Sequence, residues 1–499
     1  MIDKQNNIIL ANWQTGIAYS PFYDDKAGFA DMRNMENTIV PGVLSLGVLA
    51  AKQTADTVSN PPGWMVLNAN TNLNAYALDT SGKVYTAPST WTSWTHVTGN
   101  TVTGTYLGCG MAIWKGYLFI ARDTNLDVYD LTSAWTTSFQ TLNASPFHML
   151  YTSVDDKLYI CNGRYISSLT EVTTFNPASA PTYTWTAAAI TLPTGYTAMT
   201  LADLGASLFV GTVFGTGDIS VTNKRLKKAD IFPYLRSSLT LGIPVKIQEF
   251  GVNQMLEVNN ELFIQAGNTG KYYKTNGTFF TFLTQIPHNS VLGSPYSWTQ
   301  TYPGGMMYHK NKIFSGVNVS SATAASGVYS FNLDGSGLTL ENTLSIGSDD
   351  NLYVRSLLSV RDQPDTYLAG WVQGDASARG IDKVSFANGF TGSYGAYVDS
   401  QIYTVGDSDN DRTFAQVEFY FDRPLASGDG FKIQWREDLS ASFATTSLEN
   451  TGIVDFATYG AIQDKRLTFT ANVKQIQFRV LGTCTSSTLS PKLKYVRII

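Results

Sequence analysis

The sequence has few charges, few cysteines and no long apolar run. Only 15% of its 499 residues are charged, against about 25% in an average globular domain. The net charge of −5 gives no overall attraction for nucleic acid or for an anionic membrane. Cys109, Cys161 and Cys484 are too few and too far apart for a disulfide framework or a zinc site. The longest apolar stretch, residues 40–51, is interrupted by proline and glycine and is too short to span a bilayer.

The start of the chain also lacks a recognisable leader. Its first residues, MIDKQNNIILANWQTG, have neither the basic nor the apolar segment of a secretory signal. With so little cysteine, we expect a chain that is made and assembled in a reducing cytosol. What is abundant is Thr, Ser, Asn, Gly and Tyr, which favour strands and turns. With 43% hydrophobic and 13% aromatic residues, the composition predicts a packed all-β protein.

One short pattern recurs along the chain: a polar turn, an aliphatic–aromatic pair and then small residues. Clear copies contain Leu118-Phe119, Leu158-Tyr159, Leu208-Phe209, Leu262-Phe263 and Ile313-Phe314, and looser copies lie around Tyr76 and Leu368. Copies spaced at roughly 40–50 residues, each with about four strands, are typical of β-propeller blades. Counting the loose copies predicts seven blades, with six or eight as alternatives. A run of unrelated β-sandwiches is the alternative fold.

The two ends of the chain differ from these repeats. Residues 1–60 contain no copy of the pattern, so we expect an extended arm that closes the ring by adding a strand or reaches a neighbouring subunit. After Asp411, hydrophobic and polar residues alternate. Ala415, Val417 and Phe419 share one predicted face, which is typical of an antiparallel sandwich. We therefore predict a propeller over 61–406 and a jelly-roll-like β-sandwich over 407–499.

No catalytic motif is visible in the sequence. The four histidines, His96, His148, His288 and His309, have no metal-ligand spacing. No nucleophile elbow, P-loop or dinucleotide fingerprint occurs. We therefore predict that the protein is not an enzyme and has no catalytic residue, cofactor or bound metal. His309, at a predicted strand end, is interpreted as a structural or surface histidine.

One group of acidic residues has the spacing of a calcium loop. Asp407, Asp409 and Asp411 occupy positions 1, 3 and 5 of such a loop, and Glu418 occupies position 12. Arg412 stands where the loop requires glycine, and the residues after it alternate as a strand. We favour a solvated hinge between propeller and sandwich, with a calcium site as the alternative.

The sequence contains one dense basic cluster, in the stretch that widens the fourth predicted blade. Its members are Lys224, Arg225, Lys227 and Lys228. The preferred interpretation is a solvated loop or short helix on one propeller face. Contact with phosphate or with an acidic partner is the alternative.

Three parts of the chain resemble the β-propeller virion proteins of tailed bacteriophages. The first carries Gly16-Ile17, Ser20-Pro21, Gly28-Phe29, Met32-Arg33-Asn34, Pro41-Gly42 and Lys52, and is similar to the stretch that precedes the blades in that group. The second contains Ile231-Phe232-Pro233, Gly267, Gly270 and Asn276-Gly277, and is similar to one of the blades. The third is the terminal sandwich. The tail nozzle protein of short-tailed phages is similar in architecture, although the platform insertion of a nozzle is not evident here.

The resemblance implies a virion structural protein of a phage tail or head–tail junction. It also implies a ring of several copies, other tail or connector proteins as partners, and no membrane contact. Two alternatives stay open. One is a carbohydrate- or receptor-binding tail component, in which aromatic residues such as Trp91, Trp94 and Trp135 stack on a host-surface glycan. The other is a propeller glycosidase or lyase whose acids the sequence does not pair.

Overall fold

The computed structural model describes residues 7–18, 28–37, 40, 42–53, 58, 60–69, 73–99, 110–145, 147–215, 229–286, 299–319, 326–346, 352–360, 363, 365–374, 378–390, 392–406, 411–438, 440–486 and 489–499. Across these ranges the structure is dominated by β-strands, which confirms the predicted all-β class. The α-helix there is a single turn, Phe456–Tyr459. Short 3₁₀ turns lie at Trp13–Thr15, Ala180–Thr182, Phe386–Asn388 and Glu449–Gly452. None of the helices in the described ranges has the length and hydropathy needed to cross a membrane.

Five short strands precede the repeats. They are β1 (Ile8–Leu10), β2 (Asp31–Arg33), β3 (Met35–Glu36), β4 (Ser45–Leu46) and β5 (Ala50–Lys52). We refer to this part of the chain as the arm. Its strands pair with elements far away in sequence, apart from the small β3–β4 hairpin.

In the described ranges, seven antiparallel units follow the arm, each with four main strands. Unit 1 comprises β6 (Pro62–Leu67), β7 (Ala75–Asp79), β8 (Val84–Ala87) and β9 (Thr95–His96). Unit 2 comprises β10 (Met111–Trp114), β11 (Tyr117–Arg122), β12 (Asn125–Tyr129) and β13 (Trp135–Thr141). Unit 3 comprises β14 (Met149–Thr152), β15 (Lys157–Asn162), β16 (Tyr165–Glu171) and β17 (Tyr183–Thr191). Unit 4 comprises β18 (Tyr196–Leu204), β19 (Ser207–Phe214), β20 (Ala229–Leu235), β21 (Thr240–Leu241) and the additional β22 (Val245–Ile247).

The remaining units continue in the same order. Unit 5 comprises β23 (Val252–Val258), β24 (Glu261–Ala266), β25 (Lys271–Thr275) and β26 (Phe280–Gln285). Unit 6 comprises the short β27 (Thr299–Gln300), then β28 (Met306–His309), β29 (Lys312–Val319), β30 (Gly327–Asn332) and β31 (Thr339–Asn342). Unit 7 comprises β32 (Leu352–Ser359), β33 (Tyr367–Gln373) and β34 (Ala378–Val384), and its fourth strand is β5 of the arm.

The recurring pair of residues supplies one side chain to each face of its sheet. In unit 5, Leu262 packs toward unit 4 and the adjacent Phe263 packs toward unit 6. Leu118 and Phe119 of unit 2 divide in the same way between units 1 and 3. Because successive side chains of a strand point to opposite faces, one such pair fastens a sheet to both of its neighbours. The pattern therefore recurs because each sheet has to pack against two neighbouring sheets.

The units form a closed cycle. The first main strand of each unit, which is β28 in unit 6, contacts the first main strand of the next, and β32 of unit 7 contacts β6 of unit 1. Met65 of unit 1 and Leu368 of unit 7 share one buried cluster, so the last sheet packs on the first. Sheets stacked around a common axis in this way form a β-propeller, which protects most of their faces and edges.

The arm fastens the ring in two places. Strand β5 pairs antiparallel with β34, which makes it the outermost strand of unit 7. Strand β2 pairs in parallel with β31 of unit 6 at Arg33 and Leu340. The arm thus adds a strand to the ring, which is one of the two roles expected for it.

The last eight strands form two facing sheets. They are β35 (Ala396–Asp399), β36 (Tyr403–Thr404), β37 (Arg412–Phe421), β38 (Gly430–Arg436), β39 (Ile453–Asp455), β40 (Asp464–Val473), β41 (Gln475–Thr483) and β42 (Leu493–Ile498). One sheet has the order β1-β42-β37-β40, and the other contains β35-β41-β38-β39. We refer to these two sheets as the C-terminal region. Since β35 and β36 both pair with β41, this region's sheet crosses the boundary predicted at residue 406.

A single hydrophobic core lies between these two sheets. Phe419, Ile433 and Phe478 of the C-terminal region are fully buried there, together with Ile8 and Trp13 of the arm. The arm is therefore part of the core of this region, in addition to lying on its edge.

The prediction for one core residue of the C-terminal region was wrong. Ala415 is exposed and Phe414 is buried, because a β-bulge between Phe414 and Gln416 shifts the alternation by one residue. From Val417 onward the predicted face is the observed one, and Val417, Phe419 and Phe421 are fully buried.

Strand β2 joins the propeller to the C-terminal region. One edge pairs with β31 of unit 6, and the other pairs antiparallel with β35. The result is an 11-stranded sheet that runs from unit 6 through the arm into β41, β38 and β39. Continuous backbone hydrogen bonding therefore links the two halves of the molecule.

A buried ion cluster reinforces this junction. The Lys312 ammonium at the start of β29 lies 2.9 Å from a carboxylate oxygen of Glu36 in the arm and 2.9 Å from one of Glu341 in β31. Burial alone would lower the pKa of Lys312. The attraction of the Glu341 and Glu36 carboxylates is larger, so the pKa of Lys312 is raised. Ser330 also donates a hydrogen bond to Glu341. The cluster ties the arm to unit 6 through three charges that depend on one another.

Replacement of the central cation, Lys312, should lower the stability of the folded protein. We expect Lys312→Met to lower the free energy of unfolding by about 3–5 kcal/mol at pH 7, because two buried carboxylates lose their partner. Urea denaturation measures this difference. Lys246→Met is the matched control, since Lys246 is exposed on β22, and it should change stability by no more than about 0.5 kcal/mol. Equal values for both variants would contradict a structural role for the cluster.

Candidate functional site

The first place to look for chemistry in a propeller is the central axis, and here a tryptophan lies across it. Trp64 of unit 1 packs against His148 of unit 3, with ring centroids 5.0 Å apart. The same indole contacts Gly304 of unit 6, where an added Cβ would lie 2.8 Å from the Trp64 Cε3. Units 1, 3 and 6 are not neighbours in the ring, so these residues meet at the axis. The indole therefore occupies part of the axis at this level.

His148 is held as a neutral packing residue beside Trp64. Its Nδ1 accepts a hydrogen bond from the backbone N–H of Leu201 at 2.9 Å, and the Thr200 hydroxyl lies 3.2 Å from the same atom. Burial lowers the pKa of His148 to about 4. An imidazole whose acceptor nitrogen is engaged by the backbone is poorly suited to accept a proton from a substrate.

A second cluster fills the axis where the innermost strands begin. Phe147, Met199, Val213 and Tyr302 are buried together, with Tyr353 packed against them. They come from units 3, 4, 6 and 7. Arg355 of β32 lies over the Tyr302 ring, with its guanidinium carbon 4.8 Å from the ring centroid. This end of the axis therefore holds a buried cluster that contains aromatic rings, with one cation beside it.

A partly open cavity of about 230 Å³ lies away from the axis, where the arm, units 6 and 7 and the C-terminal region meet. Leu46, His309, Tyr367 and Leu489 are among its lining residues. The Nδ1 of His309 lies 3.0 Å from the Ser359 hydroxyl. Burial and the neighbouring Lys310 lower its pKa to about 4. Three acids among the described residues line the cavity. Glu36 and Glu341 are bound by Lys312 as described above, and Asp365 lies 3.3 Å from the Lys310 ammonium. Each of these carboxylates therefore already has a cation of the chain as its partner.

The structure gives the calcium candidates different surroundings. Glu418 projects from β37 and is bound by Arg466, whose Nε lies 3.0 Å away, and by Arg497. Asp411 is exposed and accepts a long hydrogen bond of 3.4 Å from Asn472. Asp407 and Asp409 lie outside the described residues. Within the described ranges, no three His, Cys, Asp or Glu side chains are grouped for metal binding. The Glu418 carboxylate is therefore already neutralised by two arginines.

The aromatic candidates for glycan stacking are packed inside the propeller. Trp91 and Trp94 are each 1% exposed. Trp135 is half-buried, stacks on Tyr129 with centroids 4.7 Å apart, and donates a hydrogen bond to the Thr98 carbonyl. Trp91 and Trp94 have no exposed ring face to offer to a sugar.

Several residues singled out from the sequence lie outside the described ranges. They are Cys109, His288, the basic cluster Lys224, Arg225, Lys227 and Lys228, and Ser20, Pro21 and Pro41 of the resemblance. Of the others, Cys161 and Cys484 are free and buried. His96 is exposed on β9 and packs against Tyr85.

Comparison with known proteins gives a likeness in fold only. No family model matches the chain, and no curated protein matches it. The WD40 repeats of RRP9 are 10% identical with a TM-score of 0.47, and the match covers 68% of this chain and 99% of that one. The β-propeller domain of Cps50 (Swd1) from Myceliophteria thermophila is 8% identical with a TM-score of 0.44, covering 65% and 97%. The extracellular domain of the one-component system BT4673 from B. thetaiotaomicron is 10% identical with a TM-score of 0.39, covering 70% and 54%. Likenesses this weak carry no conclusion about function.

The contact between Trp64 and Gly304 predicts a steric effect at the axis. We expect Gly304→Ala to lower the free energy of unfolding by about 1–3 kcal/mol, because the new methyl group must displace the indole or the backbone. Gly392→Ala is the control, since a Cβ there meets nothing within 4 Å. That variant should be neutral or stabilising by up to about 1 kcal/mol. Chemical denaturation of both variants measures the difference, and equal stabilities would show that the axis is not filled as described.

The lowered pKa of His148 predicts a loss of stability in mild acid. Its pKa is about 4 in the folded chain and about 6.5 when unfolded, so protons bind preferentially to the unfolded state. The stability due to neutral His148 is therefore lost as the pH falls from about 6.5 toward 4. This amounts to about 2 kcal/mol between pH 7 and pH 5.

His148→Asn keeps an acceptor near the position of Nδ1 but cannot be protonated in this range. We expect the variant to lose about 2 kcal/mol less than the wild type between pH 7 and pH 5, as measured by urea denaturation. His96→Asn, at the exposed histidine, should change this pH dependence less. An imidazole titration by NMR with a midpoint of 6 or above for His148 would contradict its burial.

Proposed function

We propose that the protein is a structural component of the virion of a tailed bacteriophage, located in the tail or at the head–tail junction. In this role it is a seven-bladed β-propeller followed by a jelly-roll-like β-sandwich, and it assembles in several copies as a rigid nozzle, collar or adaptor. Other tail or connector proteins are its partners. The seven units in closed contact and the two facing C-terminal sheets support this description of the fold.

The single observation that best supports a scaffold is the continuous sheet through the arm. Strand β2 hydrogen-bonds to unit 6 on one edge and to β35 on the other. A hinge between the two parts would have to break this ladder and the Lys312 ion cluster. A scaffold protein that holds other components of a particle in place needs such a fixed geometry. The sequence resemblance of the arm to phage propeller proteins supports the same role.

Exposed apolar side chains on units 4 and 5 offer a surface for assembly. Phe279 and Phe282 at the outer edge of unit 5 are 62% and 54% exposed. Leu235, Leu239 and Ile243 are exposed at the outer end of unit 4. Large exposed apolar residues grouped on neighbouring elements are typical of protein–protein contact sites. We assign this surface, named here the rim patch, to contacts between copies in the ring.

The alternative functions have less support from the described residues. Trp91 and Trp94 are buried, so a glycan-binding role needs other aromatic residues. A glycosidase or lyase site at the axis would need space that Trp64 occupies and a proton acceptor other than the neutral His148. We therefore do not advance either as the main function.

Analysis of purified phage particles tests the proposal. Mass spectrometry of intact virions should detect this chain in a fixed ratio to the other tail proteins, and cryo-electron microscopy should place several copies around the tail axis. Absence of the chain from the particles of a phage that encodes it would refute the proposal.

Variants at the rim patch test the assembly surface. We expect the purified protein to form a multimer by light scattering, and Phe279→Ser combined with Phe282→Ser to reduce its mass to that of smaller species. The change removes apolar area from the contact without touching buried residues. Val172→Ser is the control, because Val172 is similarly exposed at 59% but lies on unit 3. A multimer that survives the double substitution would place the contact elsewhere.

A further inference from the structure

Arg355 occupies an unusual position among the arginines of the described chain. Its Nε is buried and has no hydrogen-bond acceptor. The contact that the structure gives its guanidinium is the Tyr302 ring, 4.8 Å away. Most other arginines with an unbonded Nε hold a carboxylate through another nitrogen, as Arg236 does with Asp203 and Arg423 with Asp429. Arg164 has no carboxylate partner of this kind, but it donates a hydrogen bond of 3.3 Å to the Leu192 carbonyl. Arg355 thus has a partly desolvated charge with no anion within the described part of the chain.

A β-bulge sets the direction of this side chain. The pairing between β32 and β33 shifts register between Val354 and Ser356, so Arg355 is the extra residue of the innermost strand of unit 7. Bulges commonly re-aim a side chain, and they occur next to functional sites. Here the bulge places the guanidinium over Tyr302, at the end of the axis where residues of units 3, 4, 6 and 7 converge.

The surroundings of Arg355 are rigid and aromatic. The Tyr302 carbonyl accepts a hydrogen bond of 2.6 Å from the side chain of Gln254, which itself accepts one of 3.0 Å from Ser315. Tyr353 packs against the same buried cluster as Tyr302. A fixed ring under the guanidinium leaves the edge of the guanidinium plane to bind a further group.

The chemistry of a ligand that suits this position follows from the guanidinium. Its planar fork of N–H donors matches the two oxygens of a carboxylate or phosphate, and such charge-assisted pairs are stronger than neutral hydrogen bonds. A buried donor without an acceptor costs about 1–3 kcal/mol, so a native protein that keeps one has a reason to do so. The aromatic side chains around Arg355 favour a flat apolar body beside the anionic group.

We propose that Arg355 is the anion-binding residue of a ligand site at this end of the propeller axis. The site takes a carboxylate or phosphate group attached to a flat apolar body. This inference does not rest on the proposed virion function, because it depends only on the residues around Arg355.

Titration of the full-length protein with small probes tests the site. Benzoate and phenyl phosphate carry the two anionic groups on the same ring, and benzamide is the neutral match for benzoate. By isothermal titration calorimetry we expect saturable binding of at least one of the two anions and none of benzamide. Tighter binding of benzoate identifies a carboxylate site, and tighter binding of phenyl phosphate identifies a phosphate site. Failure of both anions to bind would overturn the proposal.

Variants of Arg355 connect that binding to the guanidinium. Arg355→Gln should weaken anion binding at least tenfold, and Arg355→Lys should weaken it as well, because lysine keeps the charge but not the planar fork. Arg412→Gln is the matched control, since the contact recorded for Arg412 is also an aromatic ring, at 5.0 Å from Phe414. Its Nε is not among the buried atoms without an acceptor. Unchanged binding in Arg355→Gln would refute the assignment.

A stability measurement separates a binding role from a structural one. In buffer without small anions, Arg355→Met should raise the melting temperature, because it removes an unpaired, partly buried charge and keeps an apolar contact with Tyr302. A structural arginine would show the opposite change. A fall in melting temperature, with the other variants folded, would contradict a site kept for a ligand.

Discussion

The structure depends on strand addition by the arm. A ring of sheets made from one chain is weakest where the last sheet meets the first, because nothing in the repeat itself joins them. Here β5 comes from the segment just before unit 1 and completes the sheet of unit 7. The same arm supplies β2 between unit 6 and the C-terminal region, and β1 at the edge of β42. Three short strands thereby fix the ring and attach the second half of the molecule to it.

The outer edges of the units follow from the same constraint. The outer strand of unit 6, β31, is covered by β2, and the outer strand of unit 7 is the three-residue β5. Units 1 and 4 end in strands of two residues, β9 and β21. The longer outer strands β13, β17 and β26 carry no charged residue, but each has a register shift against its neighbour. Short, covered or bulged edges resist pairing with another chain, which leaves side chains such as those of the rim patch for the contacts between copies that we propose.

The sequence predicted the repeating elements well and the long-range connections poorly. Pairs such as Leu262 and Phe263 were recognisable because each must fill two packing interfaces. Strands of two or three residues have no periodicity, so neither the partners of β2 nor the ion cluster at Lys312 was foreseen. The bulge at Ala415 shifts an otherwise regular alternation without any local marker. The packing of Trp64 on His148 joins units far apart in sequence, and no spacing rule predicts it.

Native-state hydrogen exchange is the most direct test of the claim that the arm makes one rigid body of the ring and the C-terminal region. The amides of β2 should exchange with the same opening free energy as those of β30 in unit 6 and β41 in the C-terminal region. Increasing urea should lower all three values in parallel, which indicates one cooperative unit. Exchange of β2 and β41 through a separate opening of lower free energy, while β30 stays protected, would contradict the account.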